Sequence, residues 1–220
     1  TRTQQKLSMA NQRSDALLLN ILPRPIAQRL KNVQGKIADQ YDQASICFLD
    51  LENFSLLVKT LKAHELVDLL DDVFSQFDQL SEHHGLEKIK TIGDGYMAAA
   101  GVPDINNAHA VQCCAYALAV KEAFSALQRK YHLTTGLRIG IGSGEVVAGV
   151  IGRSKFCYDL WGEAVTLAAR MESHGRIDQM QVTQSTYERA KHEFFFEPRG
   201  KVKIKGLGQI KTYWLVGKIE

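Results

Sequence analysis

Lys88–Gly101 reads KIKTIGDGYMAAAG. Two apolar-rich runs, Leu86–Ile92 and Tyr96–Gly101, flank Gly93-Asp94-Gly95, and so short and Gly-rich a connection fits a tight hairpin. Upstream, Ser45–Leu51 (SICFLDL) reads as a strand. Phe54–His84 reads as one long amphipathic helix, with Leu57, Leu61, Leu66, Leu70, Val73 and Phe77 at helical spacings. Downstream, Ala108–Tyr131 reads as a second helix. Leu137–Gly142 and Glu145–Ile151 read as a second hairpin around Gly142-Ser143-Gly144. The order is β-α-β-β-α-β, the ferredoxin-like pattern of an α+β fold. A C-terminal α/β extension follows: a helix near Gly162–Ser173, a strand at Met180–Val182, a helix at Thr183–Lys191, and strands Phe194–Lys205 (interrupted at Pro198) and Gln209–Val216.

Around this core the chain has 220 residues, 45% of them hydrophobic and 23% charged, which excludes a disordered or low-complexity protein and allows a full core. No apolar run approaches the roughly 18 residues of a membrane span. A net charge of +3 is too small to argue for nucleic acid. Cys47, Cys113, Cys114 and Cys157 lack CxxC spacing, so neither a disulfide nor a zinc framework is expected, and a reducing, cytoplasmic setting is. The chain starts at Thr1 without a signal peptide, and the missing Met reads as a fragment of a longer protein.

Two domains are expected: residues 1–42 as an N-terminal helix and linker, and residues 43–220 as the globular unit. Residues 4–33 read as helix, dense in apolar residues at Ala16–Leu22 and cut by Pro23 and Pro25. Its heptad positions make a poor seam, open to two readings: a dimer-forming helix or a helix packed on its own domain. Gly35–Asp42 reads as a polar break.

Asp50 ends an apolar strand, where an unpaired charge is costly. Asp94 sits at the next hairpin tip. In a β-α-β-β order the two are sheet neighbours, and convergent carboxylates suit divalent cations on a polyphosphate. Asp at a hairpin tip is equally ordinary turn chemistry. Lys90 and Asp94, four apart, should share a face about 13 Å apart, with Lys88 beside Lys90 on that face. The seven histidines show no metal spacing and read as surface or satisfied core residues, and Gly140–Gly144 lacks the GK[ST] of a P-loop.

Five blocks then appear in order: Ser45–Ser55 (SICFLDLENFS), Lys88–Gly101, Leu137–Gly152 (LRIGIGSGEVVAGVIG), Tyr158–Met171 (YDLWGEAVTLAARM) and Gly200–Leu215 (GKVKIKGLGQIKTYWL). Together they resemble the class III nucleotidyl cyclase catalytic domain. Leu17–Leu30 resembles the transducer helix that precedes such domains. The resemblance implies a homodimer with active sites shared between chains, two divalent cations (Mg²⁺ or Mn²⁺), and an upstream sensor in a full-length protein that is either membrane-anchored or free. Asp50 and Asp94 match the metal-binding aspartates, with Leu51 beside them. Arg138 matches the phosphate-contacting arginine, and Phe54 and Ser55 fall among the substrate contacts. Lys90 and Asp159 match the purine-reading pair, Arg170 the transition-state arginine, and Lys205 the triphosphate lysine.

Lys90 only donates and ionised Asp159 only accepts, which complements adenine and not guanine. The implied reaction is ATP to 3′,5′-cyclic AMP and pyrophosphate. Two positions depart from the family pattern. Thr166 stands where Asn is usual, and Asn53 where Gly is usual in the turn after Asp50. Both leave room for a nucleotide-binding pseudo-cyclase, with a guanylyl cyclase as the third reading.

Overall fold

The central strand, β1 (Ala38–Leu51), is buried on both faces from Ala44 to Cys47. Such a run suits a strand covered on both sides. In the computed structural model, which describes residues 19, 21–32, 36–152 and 155–219, β1 lies mid-sheet. Its alternating side chains feed two cores. Cys47, Leu49 and Leu51 pack with α3 (Ala63–His83) and α4 (His109–Tyr131), while Ala44 and Ile46 enter a second cluster on the other face. The antiparallel neighbours are β3 (Gly95–Ala100) and β4 (Leu137–Ile151), and β2 (Glu87–Ile92) pairs with β3. The spatial order β2-β3-β1-β4 is that of a ferredoxin-like sheet, as the element order implied.

The extension continues this sheet. β6 (Met180–Thr183) pairs with β4 in parallel, and β8 (Gly208–Lys218) and β7 (Phe194–Ile204) complete it. α6 (Gln184–Ala190) connects β6 to β7. The expected interruption at Pro198 is a register shift between Pro198 and Gly200.

Four expectations are corrected. The hairpin around Gly142-Ser143-Gly144 does not exist: β4 runs unbroken through it, and the actual partner of its second half is β5 (Cys157–Trp161). The glycines serve a different need. A Cβ on Gly140 would meet the Glu172 nitrogen at 2.0 Å, and one on Gly142 the Ala164 oxygen at 2.7 Å. They let α5 (Glu163–Ser173) lie directly on the strand. The helix expected over Phe54–His84 is two, α2 (Phe54–Thr60) and α3, split where Leu61 and Lys62 turn extended. The Lys62 N–H restarts the ladder by donating to Glu65 Oε2 at 2.8 Å. The polar break Gly35–Asp42 gives way to strand from Ala38 onward, with a bulge between Tyr41 and Ala44.

Finally, Lys88 and Lys90 lie on opposite faces. A bulge between them shifts the register, so alternation fails there. Lys88 reaches Asp78 and the Tyr96 ring, while Lys90 points to the other side of the sheet, toward Asp159.

α4 is long and apolar enough by length and composition to cross a membrane, a property the sequence reading missed. Its Cys113, Tyr116, Val120 and Phe124 are instead core residues of the first cluster. Of the expected N-terminal helix, residues 1–18 lie outside the described part. α1 (Arg24–Asn32) follows Pro23 and carries Pro25 in its first turn, where a missing N–H costs little. Leu22, Ile26 and Ala27 are buried in the second cluster, so this segment packs on its own domain.

Candidate active site

Asp50 is carried to the end of β1, in register with Gly95 of β3 and Arg138 of β4. Asp94 precedes Gly95 in the β2–β3 turn, so the two carboxylates face one cleft of about 530 Å³, shared with Leu51, Phe54, Ser55 and Arg138. Asp94 belongs to the turn rather than to the strand arm assumed in counting its distance from Lys90. Burial, and then the neighbouring Asp94, push the Asp50 carboxyl above its ordinary range, with Arg138 acting against both. Asn53 has φ 61° and ψ 24°, a left-handed conformation that Asn tolerates better than most residues. The turn therefore survives without glycine.

Arg138 engages three carboxylates. Its Nη2 reaches Asp50 Oδ2 at 2.7 Å, Nη1 reaches Glu52 Oε2 at 2.5 Å, and Nε reaches Glu172 Oε1 at 2.9 Å. Glu52 and Glu172 were not foreseen. Glu172 lies 34 residues from its partner, and no short-range pattern announces such a pair.

A second constellation lies elsewhere on the same chain. β5 folds back over the second core, burying Tyr158 and Leu160, and comes against β2. Lys90 Nζ donates to Asp159 Oδ2 at 2.5 Å, and Asp159 Oδ1 accepts from Leu160 N at 2.8 Å. Asp159 is 8% exposed. The proposed purine-reading pair is thus assembled within one chain. Neither residue lines the Asp50 cleft.

Thr166 and Arg170 sit one turn apart on the exposed face of α5 and are not among the cleft residues either. The Thr166 hydroxyl donates to the Gly162 carbonyl at 3.3 Å. Lys205 lies in the exposed β7–β8 turn, just beyond the strand expected to hold it. β7 is four strand steps from β1, about 19 Å laterally at the usual spacing. One chain therefore carries two separated constellations, plus a lysine remote from the first.

Among the described residues, no three His, Cys, Asp or Glu side chains gather as a metal cage. Asp50 and Asp94 offer paired hard oxygens on one open cleft instead. That donor set fits cations whose remaining ligands come from a bound polyphosphate and water.

A ferredoxin-like sheet with paired carboxylates at one end of its central strand and a Lys–Asp pair on its back defines a nucleotide-handling catalytic domain. The family model described as "Adenylate and Guanylate cyclase catalytic domain" matches residues 37–217, and the chain belongs to that family. It is 40% identical over 218 residues to an adenylate cyclase of Mycobacterium tuberculosis, covering 99% of this chain and 49% of the relative. A soluble guanylate cyclase of Caenorhabditis elegans is 35% identical over 218 residues, covering 98% of this chain and 32% of that protein. The guanylate cyclase domain of RhGC from Catenaria anguillulae, solved in complex with GTP, superposes with a TM-score of 0.79 at 28% identity. It covers 82% of this chain and 100% of its own. The chain thus spans about half the length, or less, of these two curated relatives.

Proposed function

We propose that this domain converts ATP to 3′,5′-cyclic AMP and pyrophosphate, at active sites shared between two copies of the chain. The Lys90–Asp159 pair carries the choice of base. Adenine offers an acceptor at N1 and a donor at its 6-amino group, complementary to a lysine that only donates and a carboxylate that only accepts. Guanine, with an acceptor at O6 and donors at N1 and N2, presents the reverse.

Bound at Asp50 and Asp94, two divalent cations would lower the pKa of the ribose 3′-hydroxyl and neutralise triphosphate charge. Arg138 presents its two Nη groups to the same cleft and orients the phosphates. Arg170 and Lys205 of the second chain offset the charge that grows as pyrophosphate leaves. The separation of Lys90, Asp159, Thr166, Arg170 and Lys205 from the Asp50 cleft supports the two-chain site.

The free cysteines fit a reducing, cytoplasmic compartment, and the greater length of the relatives fits an output domain in a longer signalling protein. The N-terminal helix would set the register of the two chains for an upstream sensor. Removing residues 1–18 keeps Leu22, Ile26 and Ala27 in the core and should change activity or dimer affinity. No change in either would count against this role.

A second reading has its own observation. The Thr166 hydroxyl turns to its own helix, which favours a domain that binds ATP but turns it over slowly or not at all. The purified chain, offered ATP or GTP with Mg²⁺ or Mn²⁺ and its cyclic products resolved, separates the readings. Cyclic AMP supports the proposal, cyclic GMP overturns the base assignment, and nucleotide binding without product favours the pseudo-cyclase.

A further inference from the structure

Arg138 commits each of its three guanidinium nitrogens to a carboxylate, and the three partners differ in kind. Asp50 and Glu52 line the cleft, where a triphosphate would draw the two Nη groups away from them. Glu172 does not line it. Its side chain is 14% exposed, on the last turn of α5, and it holds Nε. A planar guanidinium fixed at Nε has both Nη groups aimed in a set direction. The Glu172 contact can therefore persist while the other two exchange for phosphate.

The same helix carries Thr166 and Arg170. Residues two apart on a helix point to different sides, so Glu172 faces β4 and Arg170 faces outward. At Gly140 and Gly142 no side chain of β4 stands between the strand and α5. A Cβ on Gly140 would meet the Glu172 nitrogen at 2.0 Å and the Ala168 oxygen at 2.4 Å. Arg138 stands two residues before Gly140 on that strand. The ion pair ties the Arg138 guanidinium to α5, and the backbone contact ties its strand to the same helix.

We propose that Glu172 is a positioning residue that sets Arg138 in one active site and, through α5, Arg170 in the other, so coupling the two sites to which each chain contributes. The coupling rests on the shared-site reading above.

Two measurements test it. The first is equilibrium binding of 3′-deoxy-ATP with Mg²⁺, an analogue without the attacking hydroxyl, alongside melting temperatures. Glu172→Ala should weaken binding about tenfold, by loss of a charge-assisted contact. Glu172→Gln still accepts from Nε without the charge and should lose about threefold. Unchanged affinity in Glu172→Ala overturns the proposal. If that variant does not fold, Glu172→Gln binding as tightly as the wild type overturns it.

The second uses mixed dimers of an Arg170→Ala chain and an Asp50→Ala chain, which retain one working site. Random 1:1 pairing should restore about a quarter of wild-type activity. Glu172→Ala added to the Arg170→Ala chain, which supplies the working Arg138, should raise KM about tenfold with kcat held. Added to the Asp50→Ala chain, which supplies the working Arg170, it should lower kcat about tenfold with KM held. A purely structural role would produce no such split. An effect in one placement only, or in neither, overturns the coupling. A mixture that regains no activity contradicts the shared site itself and leaves Glu172 to be judged by the binding measurement.

Discussion

Lys90 on β2 and Asp159 on β5 are 69 residues apart in sequence and 2.5 Å apart across the back of the sheet. The pair forms because the bulge between Lys88 and Lys90 turns Lys90 away from the face that Lys88 occupies. If the pair reads the base, exchanging its donor–acceptor order should exchange the substrate. Lys90→Glu with Asp159→Cys is expected to move the ratio of kcat/KM for ATP over GTP by about 10²-fold toward GTP. A ratio that stays put would remove these residues from base selection.

Thr166 is the position at which activity should be easiest to gain. An amide there offers a donor that the threonine hydroxyl, engaged with Gly162, does not. Thr166→Asn is expected to raise kcat by at least about tenfold, since one preorganised donor is typically worth ~10²–10³. Thr166→Ala should cost little by comparison. Equal kcat values for all three residues would show that this position makes no transition-state contact.

Gly140 is a test of the seat beneath α5. Alanine there drives a methyl group into the backbone at Glu172 and Ala168. Gly140→Ala should destabilise the domain by about 1–3 kcal/mol, the usual cost of overpacking. Chemical unfolding measures this directly. Gly200→Ala is the control for space, because no atom lies within 4 Å of a Cβ at Gly200, although its φ of 100° adds backbone strain there.

Half-buried Glu87 and buried His109 give stability opposing pH dependences. Burial, with Asp104 adding to it, raises Glu87 to about 7. The folded state therefore holds a proton that the unfolded chain releases near 4.5, and stability falls as pH rises through 7. His109, hydrogen-bonded to Ser45 at 2.7 Å, is lowered to about 4 by burial and then by Arg189. Below 6.5 the unfolded chain takes up a proton that the folded one refuses, so stability falls as pH drops from 6.5 toward 4. Glu87→Gln should melt with the wild type near pH 5 and above it beyond pH 7. Parallel melting curves across that range would show that Glu87 ionises normally.

What was legible in the sequence was what repeats at short range. The reading placed α4 and α5 nearly to the residue, and Gly93-Asp94-Gly95 announced its hairpin. The order of elements was enough to make Asp50 and Asp94 neighbours. The glycines of Gly140–Gly144 misled because a turn and a close helix–strand contact demand the same residue. Whether Gly142 bends the chain or admits α5 depends on what lies above it. Leu61-Lys62 split a helix without Gly or Pro, so the apolar pattern ran straight through the break. The Ile89 bulge reversed the side of Lys88 relative to Lys90, and no residue type marks a bulge of that kind. Glu52 and Glu172 could not be found by spacing, because both are defined by Arg138 on another element.

On the proposed shared-site arrangement, one chain holds two halves of different active sites. The most direct measurement is the rate of cyclic AMP formation per chain from ATP, followed across protein concentrations that span dimer formation by sedimentation. The account predicts a rate per chain that vanishes in the monomer range, rises with concentration, and levels off once dimers predominate. A rate per chain that stays constant down to concentrations where only monomers sediment would contradict it.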